Sequence, residues 1–151
     1  MEKFNLNFKD RTDLILLIVL VVSILAGLII RLKGLGKWSL ALDEFYTVKS
    51  AENILKYGVP MWDSGGFYMR GILIKYITAF VLLIGFEPEF GARFIRVIAN
   101  MLAIPPLYIL AKKISGKIFA AVLVVVFCFS VWEVEFARFA RMYAPFQTIF
   151  H

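Results

Sequence analysis

Residues 14–30 carry no charged side chain. At about 1.5 Å per residue this run makes a helix of roughly 25 Å, and its flanks extend it to the ~30 Å of a bilayer core. A cleaved signal peptide is the alternative. The run is long for one and no clear small-x-small site goes with it, so an uncleaved anchor is expected.

The chain as a whole agrees: 61% of its residues are hydrophobic, against ~45–50% in soluble domains. The excess is gathered into runs, which predicts an integral membrane protein. A net charge of +6 would suggest nucleic acid in a soluble protein. Basic residues flanking spans have a simpler origin in topology and lipid phosphates, and no basic face with interleaved aromatics is present, so nucleic acid is not expected as a partner. The single Cys128 cannot form a disulfide within the chain, and the single His151 excludes a multi-His metal site.

Polar material follows over residues 31–69. Residues 43–57 predict an amphipathic helix, with Asp43 able to cap its start and Gly58 and Pro60 stopping it. Phe45, Val48, Ile54 and Leu55 give it an apolar face for the membrane interface. Gly65-Gly66 marks a turn. Three further apolar segments are expected at 72–86, 91–111 and 118–134. The first is short for a span and contains Lys75. Pro105-Pro106 should kink the second.

Topology separates the possibilities. With 72–86 lying along the interface, the spans are 14–30, 91–111 and 118–134. Segments 1–13 and 112–117 then share the cytoplasmic side with their six Lys and Arg residues, as the positive-inside rule favours. The external side holds 31–90 and 135–151. The expected fold is therefore all-α and polytopic, with about three transmembrane helices plus interfacial helices in the first external loop.

The adjacent carboxylates of Asp43 and Glu44 repel one another, which suits one of them to act as a general base. A cap plus first-turn acid would explain the same pair without chemistry. Arg70 suits a phosphate clamp or an interfacial anchor, and Tyr68 a hydrogen-bond donor or an aromatic-belt residue. Glu135, Arg138 and Arg141 fall on neighbouring helical turns. They fit either an ion pair or two guanidinium groups over an anion. Glu89 and Arg93 fit a structural i,i+4 pair.

Taken in order, the motifs are Asp43-Glu44 with Tyr46 and Ala51-x-x-Ile54-Leu55-x-x-Gly58-x-Pro60; Tyr68-x-Arg70-Gly71; Gly85-Phe86-x-x-Glu89-x-x-x-Arg93; Lys112-Lys113-x-x-Gly116-Lys117; and Arg138-Phe139-Ala140-Arg141-Met142-Tyr143. This order resembles the N-terminal part of GT-C membrane glycosyltransferases of the protein O-mannosyltransferase and aminoarabinose-transferase type. The resemblance runs over nearly all of the sequence. It implies a polyprenyl-phosphate-linked sugar as donor, membrane lipid around it, and an acceptor the sequence does not identify. It implies catalytic roles for Asp43 and Glu44, and substrate contacts from Tyr68, Arg70, Arg138, Arg141 and Tyr143. Many relatives carry a second acid near the position of Tyr143. None stands there in this chain, and a divalent cation is left open. Relatives have more spans, so this chain is expected to be an N-terminal module, inactive alone. A non-catalytic membrane scaffold and a transporter fragment are the other readings.

Overall fold

The computed structural model describes residues 11–139; Lys3 and Lys9, and at the other end Arg141, Met142 and Tyr143, lie outside the described residues. The described residues form six helices in chain order: α1 (Arg11–Leu32), α2 (Leu42–Tyr57), α3 (Ile72–Leu83), α4 (Pro88–Leu102), α5 (Ile104–Phe129) and α6 (Val131–Arg138). One isolated antiparallel bridge, Met61 to Phe67, closes the turn between α2 and α3.

α1 contains the charge-free run and is long and apolar enough to cross a membrane. Its buried residues are Ser23, Gly27 and Arg31, one per turn on a single face. Leu14, Ile15, Ile18, Val22, Leu25 and Ile29 are exposed. The small and polar face points inward and the apolar face outward, which reverses the order of a water-soluble helix and matches helices packed in lipid.

α5 contains its own reversal. Ser115 and Gly116 leave helical geometry, with Gly116 at φ +82°, a conformation open chiefly to glycine. In a straight helix Ile104 and Val124 would stand about 30 Å apart. They share one apolar cluster with Cys128, so the chain folds back at Gly116 into two arms. Lys117 at the tip pairs with Asp13 at the start of α1, while Cys128 at the far end of the second arm lies against Gly27. The second arm therefore runs alongside α1.

Three boundaries differ from the sequence expectation. The 91–111 segment is divided at Ala103, because Pro105 and Pro106 sit in the first turn of α5, where a missing N–H costs nothing. The 118–134 segment ends at Phe129. Ser130 leaves the helix and accepts a hydrogen bond from the Glu133 N–H, starting α6 at a 54° bend. By length and composition alone, the described residues hold one helix able to cross a membrane, or up to two, against the three expected. The amphipathic helix starts at Leu42 with Ala41 as N-cap, so Asp43 is not the cap. Glu44, at the third helical position, accepts the Ala41 N–H at 2.9 Å, the return half of a capping box.

α2, α3 and α4 pack together. Val48, Ala51 and Ile54 face Ala79, Ala92 and Leu82 inside this group, so half of the apolar surface assigned to the interface is buried in protein. Phe45 and Leu55 remain exposed. The α3 helix has 12 residues, about 18 Å, short of a bilayer core.

Candidate functional site

The 33–41 linker leaves α1 and passes over the N-terminal half of α4, where Gly36 lies against Phe90. Beneath it Arg93 reaches up from α4. Its Nε donates to Glu44 Oε1 at 3.0 Å and its Nη2 to Oε2 at 2.6 Å. The two planar groups thus meet fork to fork, the strongest geometry such a pair has. Arg93 also donates to the carbonyls of Leu35, Trp38 and Ser39. All five guanidinium hydrogens have acceptors here, and the linker is tied down by one side chain. Glu44 is 2% exposed. The local pairing of Arg93 with Glu89 gives way to this long-range partner, because burial removes water's competition and three carbonyls share the guanidinium.

Beside the pair lies a cleft of about 410 Å³, lined by Trp38, Glu44, Arg93, Glu135, Arg138 and Phe139 among others. Trp38 is 75% exposed at the cleft's edge. Arg138 enters from the end of α6 and donates to the Lys33 carbonyl at 3.1 Å. The structure thus brings together the acidic turn of α2 and the Glu135–Arg138 turn of α6. They lie at the end of the bundle opposite the Asp13–Lys117 pair.

Asp43 is exposed in the first turn of α2, next to Glu44, and its carbonyl accepts from Thr47 Oγ1. Asp43, Tyr68 and Arg70 do not line the cleft; Asp43 stands beside its lining residue Glu44. Tyr68 belongs to a second cluster, where Trp62 packs against Tyr46 and Tyr68 with ring centroids 4.7 Å apart in both cases. The Lys75 ammonium sits over the Tyr68 ring and donates to the Tyr68 carbonyl. Arg70 is exposed just before α3. Nearby, the Asn53 hydrogen bond and then the Lys49 charge hold Asp63 below the usual carboxylate range. Arg141 and Tyr143 lie outside the described residues.

Compared with family models, curated proteins and solved structures, the chain matches none. The site therefore rests on its own geometry. Among the described residues no three Asp, Glu, His or Cys side chains gather as a metal site would need, and Glu44 already spends both oxygens on Arg93 and the Ala41 N–H.

Sequence reasoning missed Trp38 as a lining residue and the partnership of Arg93 with Glu44. The second left one readable trace, a glutamate three residues after a helix start, which is half of a capping box.

Proposed function

We propose that this chain is the N-terminal module of a multi-pass membrane glycosyltransferase that takes a sugar from a polyprenyl-phosphate carrier. The observation that carries the reading is the cleft. It sets a tryptophan face, a guanidinium and carboxylates side by side at one end of helices whose apolar faces point outward. A lipid-linked donor needs that combination: an apolar surround for its tail, a cation for its phosphate, and an aromatic or polar wall for its sugar.

In this scheme Asp43 removes the proton from an acceptor hydroxyl or amine as that atom attacks the anomeric carbon. The bond from the anomeric carbon to the phosphate oxygen breaks, and Arg138 stabilises the charge of the departing polyprenyl phosphate. Glu44, saturated by Arg93, acts as a positioning residue. It fixes the first turn of α2 and hence the place of Asp43. Arg70, on the exposed approach to α3, is assigned to headgroup contact away from the cleft.

The test is carrier binding in lipid nanodiscs. Polyprenyl phosphate should bind the purified chain, and Arg138→Ala should weaken it by ~10- to 100-fold, the loss of one charge-assisted contact of ~1.5–3 kcal/mol. Equal binding by the variant, or none by the parent chain, would remove the cleft from donor recognition. The commitment of Glu44 to Arg93 favours one second reading, a non-catalytic scaffold. That reading predicts no response to polyprenyl phosphate at all.

A further inference from the structure

The bend at Ser130 leaves the end of α5 with carbonyls that no following turn can satisfy. Arg31, at the end of α1, takes them. Its Nη1 donates to the Cys128 carbonyl at 2.8 Å and its Nη2 to the Phe127 carbonyl at 3.2 Å. Nη1 also reaches the Gly27 carbonyl of its own helix at 3.1 Å. The remaining donor, Nε, binds Asn100 Oδ1 at 2.9 Å, and Asn100 Nδ2 donates to Glu133 Oε2 at 3.0 Å. Arg31 and Asn100 are both fully buried.

One guanidinium thus joins four helices. It caps α5, anchors to α1, and through the α4 amide grips the first turn of α6. Gly27 lets this happen. A Cβ there would stand 3.1 Å from Cys128 Cβ and 3.2 Å from Arg31 Nη1, so a larger residue would push α5 out of reach. Glu133 faces the network from the α6 side, while Ser130 Oγ takes the Glu133 N–H. The direction of α6 is therefore set at its base by Glu133 and at its tip by the buried Ala137 and the bond from Arg138 to Lys33.

We infer that Arg31, Asn100 and Glu133 form a joint that sets the angle of α6 and thereby holds Glu135 and Arg138 in the wall of the cleft. These are positioning residues. The inference does not depend on what the cleft binds, because it concerns the direction of α6 alone. The geometry makes Asn100 the link to test, since its amide hydrogen-bonds both the Arg31 guanidinium and the Glu133 carboxylate. An apolar residue at Asn100 would leave the buried Arg31 Nε without its acceptor and take one hydrogen bond from Glu133, so α6 would lose a tie to α4 and shift.

The measurement is a spin-label distance in nanodiscs between Lys37→Cys and Glu135→Cys, in a Cys128→Ala background. The parent should give one narrow distribution. Glu133→Ala and Asn100→Leu should broaden it and shift it, with helical content unchanged. Glu133→Gln, which keeps an acceptor oxygen for Asn100, should restore the narrow distribution. Should Asn100→Leu lose its fold, the Glu133 pair decides, since Glu133 is only half-buried. A Glu133→Ala distribution identical to the parent overturns the inference. So does a Glu133→Gln distribution as broad as that of Glu133→Ala.

Discussion

Two arginines three residues apart on α4 show how little burial alone says about a side chain. Arg93 has an acceptor for every donor and a carboxylate in bidentate contact. Arg96 is fully buried with Nη1 bonded to Thr78 Oγ1 and the Ala92 carbonyl, while its Nε and Nη2 have no hydrogen-bond partner among the described residues. Removing Arg93 takes the bidentate guanidinium from the buried Glu44 carboxylate, and breaking a buried pair in this way costs about 3–5 kcal/mol. Arg93→Met should therefore lower the unfolding free energy by that amount. Arg96→Met removes two unpaired donors along with two bonds, and should change it by less than about 1 kcal/mol in either direction. Denaturant unfolding in detergent checks both, and a larger loss at Arg96 than at Arg93 would reverse the assignment. Asp43 calls for a different measurement. It is not the cap of α2, so Asp43→Asn should leave the helix intact. In the active enzyme it should reduce kcat by ~10²–10⁴ if the carboxylate is the base. Near-normal turnover would take Asp43 out of the mechanism.

Helix α1 and the second arm of α5 approach closely where Gly27 lies against Cys128, and Leu20 and Ile24 pack on Val124 and Cys128 beside it. Close approach of backbones is what holds helices together where lipid gives no hydrophobic incentive to associate. Gly27→Val should thus separate the pair, at an overpacking cost of about 1–3 kcal/mol. The capping bonds from Arg31 to Phe127 and Cys128 should loosen with it. Disulfide trapping between cysteines placed at Ser23 and Val124 reports the separation; undiminished trapping in the valine variant would show that the contact has room to spare. At the end of α2, Gly58 stands at φ +77° and its N–H bonds the Ile54 carbonyl. Here the chain stop is local, needing only a glycine able to turn left-handed.

For the molecule as a whole the distribution of charge is the telling feature. The largest fully buried side chains are Arg31, Arg96, Lys75 and Glu44, while leucines, isoleucines and valines cover the exposed faces of α1 and α5. Among the described residues, charge inside and apolar side chains outside is the arrangement a hydrocarbon surround favours. The two ends also differ: Lys112, Lys113 and Lys117 gather at the reversal of α5, and the cleft opens at the other end. If the helices cross a bilayer, cysteine-reactive probes applied from outside should label positions 43 and 138 but not 113, in a Cys128-free background. Equal labelling at 43 and 113 would show that these two ends do not lie across the membrane from one another.

Local sequence determined the helical class, the core of α1 and the C-terminal stop of α2, because run length, periodicity and a stop glycine act within a few residues. It also located the reversal near Lys112–Lys117, where charge interrupts two apolar runs. The tertiary structure alone decided that Arg93 belongs to Glu44, 49 residues away, and that Arg31 caps a helix end 97 residues further on. No periodicity records such pairs. A buried guanidinium takes whichever acceptors the packing leaves unsatisfied, and those exist only once α1, α4, α5 and α6 have met. The cleft is of the same kind. Its walls come from the linker after α1, the first turn of α2, the middle of α4 and the end of α6, and only their packing makes them neighbours.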